Sequence, residues 1–203
     1  MQTAYVDHKF RVLVNDIMSG GDIVEGRNGK IKRSFFPYTF TFNSAPILGW
    51  RKMNHMLGIQ EMDWFVNGFG ELGDIDGSVK SWWKPFANDE GSLGQYHYWW
   101  YFTELPSLIE GIKDDPFSRR HVLSAWDLEH MITQEENEFL TNCHSTVCQF
   151  NVDSQGRLNY KTYQRSADVM LGLPYNLIQH WALLEYVAHQ TGYKVGTMYY
   201  ILG

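Results

Sequence analysis

The order of helical and strand-like segments predicts an α+β fold, with one bent mixed β-sheet and helices packed on one of its faces. Two observations carry this prediction. The first half of the chain holds segments with apolar residues at helical spacing, and the second half holds an alternating hairpin, a long helix and a last strand. With 203 residues, 44% of them hydrophobic, residues 1–203 are expected to form a single domain with a full core.

The elements of the first half are separated by glycine-rich turn signals. Gly20-Gly21 end the first helix, and a run rich in Gly, Asp and Pro follows the second. We predict a helix over residues 8–19, a turn at 27–30, a strand over 34–43, a helix over 50–69, and a loop region over 70–95.

The elements of the second half show strand alternation more clearly. A four-residue turn over 154–157 joins two alternating runs, and Pro174 suits the first position of a helix that ends at Gly192. We predict a helix over residues 105–113, strands over 121–126, 145–153 and 158–164, a helix from 174 to about 191, and a strand over 195–202.

The net charge and the motifs that the sequence lacks restrict which ligands and which location can be expected for the protein. The net charge of −6 argues against a general binder of nucleic acids, so an anionic substrate needs a local arginine cluster. The spacings of metal sites, P-loops and dinucleotide folds are missing, so no metal is expected. We find neither a signal peptide nor a membrane-spanning run, and Cys143 and Cys148 are expected to stay reduced. A cytoplasmic location is therefore predicted.

The most informative segment runs from residue 163 to 176, with Cys143 about twenty residues before it. The connection after a strand brings together an anion-binding guanidinium (Arg165), a hydroxyl (Ser166), a carboxylate (Asp168) and an amide (Asn176). With the upstream thiol, these groups can bind a phosphate, read a polar ring and attack it.

Each candidate also has a simpler interpretation. Cys143 and His144 project to opposite sides of an extended segment, which disfavours a hydrolase dyad, although a buried inert thiol stays possible. Arg119-Arg120 can be a solvated charge pair, and Glu61 can lie on the surface or be partly buried. Asn176 can simply satisfy the free amides of a helix start.

Three blocks of sequence resemble the signature of the thymidylate synthase family, which includes nucleotide hydroxymethylases. The resemblance is dense from residue 115 onward and patchier before it. The blocks are Asp115-Pro116-Phe117-Ser118-Arg119-Arg120, Cys143-His144 with Gln149-Phe150, and Tyr163-Gln164-Arg165-Ser166-Ala167-Asp168 through Leu171-Gly172-Leu173-Pro174-Tyr175-Asn176.

The resemblance implies a catalytic set. Cys143 is expected to add to C6 of a uracil ring, which makes C5 nucleophilic toward the methylene of 5,10-methylenetetrahydrofolate. His144, Glu61 and Tyr96 are expected to move protons at O4 and C5, and no metal is implied. Asp168 is expected to take part in catalysis and in binding the folate.

It also implies binding residues for dUMP and folate. Asn176 is expected to read the uracil edge, where an Asp suits cytosine instead. The remaining implied nucleotide ligands are Arg27, Arg119, Arg120, Gln149, Arg165 and Ser166. The folate pocket is implied to include Trp83, Leu140, Asp168, Gly172 and Tyr175. Because Arg119 and Arg120 would reach across from a partner subunit, a homodimer is expected, with neither a membrane nor a nucleic acid as main partner.

The first half departs from the family pattern. Where the family has Arg-Thr-Gly-Thr, this chain has Arg27-Asn28-Gly29-Lys30. Either Tyr96 or His97 takes the place of the family's tyrosine that is implied in removing the proton from C5. Asn142 precedes the cysteine where synthases usually have Pro, which resembles phage hydroxymethylases. The family's C-terminal segment is absent after Gly203, and we expect the sequence to be a piece of a longer chain.

The resemblance therefore predicts folate-dependent one-carbon transfer to C5 of dUMP, which gives dTMP. One alternative is a phage-type hydroxymethylase that acts on dUMP, with dCMP less favoured, in the host cytoplasm. Another is a catalytically inactive relative that binds nucleotide or RNA, against which the intact Cys143, Glu61 and Arg165 argue.

Overall fold

The computed structural model describes residues 2–26, 29–34, 37–67, 72–75, 77–87, 89–91, 99–126 and 147–203. Within these ranges the helices are α1 (Gln2–Gly20), α2 (His55–Asn67), α3 (Gly77–Trp83), α4 (Trp99–Asp114) and α5 (Leu173–Thr191). The strands are β1 (Asp22–Gly26), β2 (Gly29–Arg33), β3 (Tyr38–Phe42), β4 (Val122–Ser124), β5 (Val147–Val152), β6 (Arg157–Gln164) and β7 (Lys194–Leu202).

Five strands form one mixed sheet in the order β3-β7-β6-β5-β4. Strands β6 and β7 are parallel, because helix α5 carries the chain back to the start of the sheet between them. The other neighbours in this sheet are antiparallel, and β1 pairs with β2 in a separate hairpin. The predicted α+β class with a mixed sheet is confirmed.

The turn between β5 and β6 is fixed by one carboxylate. Asp153 Oδ1 accepts the backbone N–H groups of Gln155 and Arg157 at 2.9 and 3.0 Å, and its Oδ2 accepts the Arg157 Nε at 2.8 Å. Gly156 has φ of +69°, a conformation that costs other residues energy. The predicted four-residue turn is confirmed, one residue earlier than expected.

The two faces of the sheet differ in burial. On the inner face, alternate side chains such as Phe150, Tyr160 and Tyr200 are fully or almost fully buried. On the outer face, Tyr163 and Tyr199 are exposed. The hydrophobic core therefore lies on the inner side, where α5 contacts β6 and β7.

Helix α5 is buried on nearly every side, and α2 packs against it. Leu177, Leu183 and Leu184 are fully buried, and each contributes about 1.5–3 kcal/mol relative to an exposed position. Gly58 permits the approach of the helices, since a Cβ there would lie 3.2 Å from the Tyr175 carbonyl oxygen. This packing brings the side chains of α2 next to the start of α5.

The segments of the first half differ from the sequence prediction. Part of the predicted loop region forms α3, which is anchored by buried Val79 and Trp83. Helix α2 begins only at His55, and α4 begins before Pro106. Tertiary packing decides these boundaries, and local propensity is a weak guide to them. None of the helices in the described ranges is both long and apolar enough to cross a membrane.

Candidate active site

The segment that follows β6 is organised by Asp168. Its Oδ1 accepts the backbone N–H groups of Met170 and Leu171 at 3.0 and 2.9 Å. Its carbonyl oxygen accepts those of Gly172 and Leu173 at 3.0 and 2.8 Å. The aspartate thus shapes the turn that leads into α5.

Asn176 lies in the first turn of α5, with its backbone N–H bonded to the Gly172 carbonyl at 3.0 Å. Its side chain is buried and points to other side chains. Oδ1 accepts from Gln164 Nε2 at 3.1 Å, and Nδ2 donates to Gln179 Oε1 at 2.9 Å. The interpretation of Asn176 as a simple helix-capping residue is therefore wrong.

Gln164, the last residue of β6, supports Asn176 from the sheet. Its Nε2 also donates to the Ser166 carbonyl oxygen at 2.8 Å. Its Oε1 accepts from the hydroxyl of Tyr200 on the neighbouring strand β7. The side-chain amide of Gln164 is thus held by both an acceptor and a donor.

Gln179 supports Asn176 from the other side, one helical turn further along α5. It is fully buried, and its Nε2 donates to Glu61 Oε2. Glu61 Oε1 accepts from the indole Nε1 of Trp83 at 2.6 Å. A continuous hydrogen-bonded chain therefore runs from Trp83 through Glu61, Gln179 and Asn176 to Gln164.

Glu61 is only 7% exposed on α2, which decides between the two sequence interpretations in favour of a buried carboxyl. Burial raises its pKa from 4.5 to about 7, while the hydrogen bonds from Trp83 and Gln179 oppose this rise. The group can therefore gain or lose a proton near neutral pH, as a general acid or base must.

Arg165 and Ser166 lie directly after β6, next to the Gln164 end of the chain of hydrogen bonds. Arg165 is half-buried, and the central carbon of its guanidinium lies 5.6 Å from the ring centre of Trp126. Ser166 is exposed. A planar guanidinium and a hydroxyl on neighbouring residues are suited to bind phosphate oxygens.

The structure places the predicted folate residues Gly172, Tyr175 and Trp83 in different surroundings. A Cβ at Gly172 would lie 3.6 Å from Asn176 Oδ1, so this glycine borders the amide. The Tyr175 ring lies 4.8 Å from that of Trp82, and both rings are half-buried. Trp83 is buried and bonded to Glu61, so Trp82 is the more accessible indole.

Among the described residues, no direct hydrogen bond joins Gln149, Arg119 or Arg120 to Asn176. Gln149 lies on the outer face of the sheet, and its Nε2 donates to the Arg119 carbonyl at 3.2 Å. Both arginines are exposed. Their predicted roles toward the nucleotide stay predictions.

Several predicted site residues lie outside the described residues. They are Arg27, Tyr96 with its alternative His97, Leu140, Cys143 and His144. Cys148, by contrast, is described: it is free and buried, and burial raises its pKa to about 12. Such a thiol is protonated and unreactive at neutral pH.

Two residues of the hydrogen-bonded chain, Gln164 and Gln179, were not singled out as site residues from the sequence, and neither was Tyr200, which donates to Gln164. The signal for Gln179 was present, since it is an amide three residues after Asn176 in a helix that is otherwise largely apolar. In the described part of the chain, no three His, Cys, Asp or Glu side chains cluster as metal ligands.

The fold and this cluster define an α+β protein in which a buried carboxyl with a raised pKa is linked through Gln179 to the amide of Asn176, with Arg165 and Ser166 directly after β6. A sequence model of the thymidylate synthase family matches residues 8–203, nearly the whole chain. The chain belongs to the thymidylate synthase family. At the level of the family, the reaction is one-carbon transfer to C5 of dUMP, with methylenetetrahydrofolate as co-substrate.

Proposed function

We propose that the protein transfers a one-carbon unit from 5,10-methylenetetrahydrofolate to C5 of dUMP and is of the thymidylate synthase type, which produces dTMP. The observation that carries this proposal is the buried chain of hydrogen bonds that links Asn176 to Glu61 through Gln179. It joins an amide that can read a pyrimidine edge to a carboxyl that can exchange a proton near neutral pH.

Substrate binding follows from the segment before α5. Arg165 and Ser166 would bind the 5′-phosphate, joined by Arg27 and by Arg119 and Arg120 of a second subunit. The protein carries a net charge of −6, so a phosphate needs such a local cluster of guanidinium groups. Asn176 would then bind the uracil edge, by donating to O4 and accepting from N3–H.

The chemistry would begin with the thiolate of Cys143 forming a bond to C6 of uracil. The electron pair released to C5 attacks the methylene carbon of the folate, and the C5 proton then leaves to a base. Glu61, His144 and Tyr96 are the proposed groups for proton movement at O4 and C5. Loss of the folate leaves an exocyclic methylene, and expulsion of Cys143 completes the turnover.

The fate of the exocyclic methylene separates two products. Hydride from tetrahydrofolate gives dTMP and dihydrofolate, whereas water gives 5-hydroxymethyl-dUMP and leaves tetrahydrofolate. Trp82 and Tyr175, a half-buried aromatic pair at the start of α5, suit the flat pterin ring, and Asp168 and Gly172 lie in the turn that leads into the same helix. A pterin held there would favour direct hydride transfer over the entry of water.

A homodimer is part of the proposal. On the outer face of the sheet, Val147, Tyr163 and Tyr199 are each about two-fifths exposed, and Arg119 lies at the rim of this face through its bond with Gln149. A sheet face that exposes large apolar side chains among polar ones, with Arg119 near it, is suited to pair with a second copy.

Subunit complementation tests the sharing of the arginines. Cys143→Ala and the double variant Arg119→Ala/Arg120→Ala are each expected to be inactive as homodimers. Mixed dimers would contain one site with both native parts, so activity should return to about a quarter to a half of native. Failure of the mixture, when mass measurement demonstrates mixed dimers, would contradict the shared site.

Release of tritium from C5-labelled dUMP tests the chemistry itself. The protein with methylenetetrahydrofolate should release tritium, and Cys143→Ala should not. Cys143→Ala should still bind dUMP within roughly tenfold of the native constant, about 1.4 kcal/mol. Absence of release by the native protein, despite bound dUMP, would instead support an inactive nucleotide-binding relative.

A further inference from the structure

We propose that Gln179 fixes the orientation of the Asn176 side-chain amide and thereby sets the preference of the site for uracil over cytosine. This inference rests on the proposed function, since it concerns how the nucleotide base is chosen.

The two ends of the hydrogen-bonded chain have fixed polarity. At one end, the Ser166 carbonyl can only accept, and Gln164 Nε2 donates to it. At the other end, the Trp83 indole can only donate, and Glu61 Oε1 accepts from it. Neither end group can exchange its role.

The orientation of every amide between these ends follows. Gln164 presents an N–H to Asn176, so the facing atom of Asn176 must be its oxygen. Asn176 then presents an N–H to Gln179, whose facing atom must be its oxygen as well. Gln179 in turn presents its own N–H to the Glu61 carboxylate, which can accept it. Reversal of any one amide would set two donors or two acceptors against each other.

The orientation of the Asn176 side chain matters because an amide carries both a donor and an acceptor and can therefore pair with either base. Uracil offers N3–H and an O4 acceptor, whereas cytosine offers an N3 acceptor and an N4 amino donor. An amide matches uracil in one orientation and cytosine in the other. The bonds to Gln164 and Gln179 use one lone pair and one N–H of Asn176, which leaves one of each for a base.

Gln179 is well placed to control this choice. It is 0% exposed, so water cannot take over its role as acceptor for Asn176 Nδ2. It also connects the amide to Glu61, 118 residues earlier in the chain, so that the base-reading group and the proton-exchanging group share one network. Gln179 acts through Asn176 and is a positioning residue.

A pair of substitutions at this position separates hydrogen bonding from packing. Gln179→Met keeps the volume but removes the acceptor, so the ratio of kcat/KM for dUMP over dCMP should fall about fivefold to tenfold. Gln179→Glu keeps an acceptor for Asn176 Nδ2, so the ratio should stay within about threefold of native. The introduced carboxyl lies against Glu61, however, and should move the pH profile.

Glu61→Gln changes the hydrogen-bonding groups at the Trp83 end of the network, because an amide with one acceptor and one donor group replaces a carboxylate with two acceptors. Trp83 requires the oxygen of the new amide, so its N–H₂ faces the N–H₂ of Gln179, and the amides can no longer satisfy both Trp83 and the Ser166 carbonyl. Gln179 and Asn176 then lose their single fixed orientation. Because Glu61 is proposed to act in catalysis, this variant is assessed by equilibrium binding of dUMP and dCMP alone. The ratio of their dissociation constants should shift toward dCMP by about tenfold.

Leu183→Ala is the matched control, since it removes a fully buried side chain from α5 without touching the network. It should lower stability and leave the base preference unchanged. The inference is overturned if Gln179→Met and Glu61→Gln keep the native preference, or if Leu183→Ala changes it equally. Failure of the native protein to bind or use dUMP would instead overturn the proposed function, so the two failures are distinguishable.

Discussion

The burial of Glu61 predicts that this residue makes folding stability depend on pH. The perturbation is Glu61→Gln, which replaces the titrating group by a neutral side chain of the same size. We expect the native protein to lose more stability than the variant when the pH rises from 5 to 8. The variant's own amide mismatch with Gln179 does not depend on pH and cancels in this comparison.

The magnitude follows from the two pKa values. The pKa of Glu61 is about 7 in the folded protein, against 4.5 for an ordinary glutamate. Below pH 4.5 the carboxyl is protonated in both states and contributes nothing. Between these values the folded protein keeps a proton that the unfolded chain releases, so stability falls as the pH rises. From pH 5 to pH 8 the loss is about 2–3 kcal/mol.

The assay is urea unfolding of both proteins at pH 5, 6, 7 and 8, at one protein concentration and one ionic strength. Other titrating groups act on both proteins, so the difference between their free energies of unfolding isolates Glu61. A difference that is the same at every pH would refute the reasoning, because it would mean that Glu61 titrates in the folded protein as it does in the unfolded chain.

Three further predictions concern packing and reactivity. Gly58→Ala should lower stability by about 1 kcal/mol and weaken dUMP binding in calorimetry, because the new Cβ, 3.2 Å from the Tyr175 carbonyl, pushes α2 away from α5. Gly156→Ala should cost a similar free energy of unfolding, about 1 kcal/mol from its positive φ, with dUMP binding unchanged; weakened binding there would show that the hairpin turn and the site are coupled. Cys148 should resist iodoacetamide at pH 8 until the protein is unfolded, as read by peptide mass, since its pKa is about 12; labelling in the folded state would contradict its burial.

The second half of the fold could be predicted from the sequence because its signals are local. Alternation marks β5 and β6, and the Pro174 start with helical periodicity marks α5. Helix α3 was missed because it is short, rich in tryptophan, and held by contacts of Val79 and Trp83 with distant residues. Strand pairing of β6 with β7 also depends on the path of α5, which no local pattern encodes.

Candidate site residues could be proposed from the sequence, but the hydrogen-bonded network that joins some of them could not. The motif around Arg165 and Asn176 indicated an anion site and a base-reading amide. The link from Asn176 to Glu61 depends on the packing of α2 against α5. The role of Gln179, which joins the two residues, cannot be predicted until that packing is known. Helical periodicity did not decide whether the Glu61 side chain is buried or exposed. The carboxyl can be buried because the indole of Trp83 and the amide of Gln179 both donate hydrogen bonds to it.

One reaction tests the central claim most directly: the protein is incubated with methylenetetrahydrofolate and an equimolar mixture of dUMP and dCMP, and nucleotide mass and dihydrofolate absorbance are read together. We predict that dUMP alone gains a methyl group, with one dihydrofolate formed per nucleotide. A hydroxymethyl gain without dihydrofolate would contradict the synthase assignment, modification of dCMP would contradict the base preference, and no modification of either nucleotide would contradict one-carbon transfer by this protein.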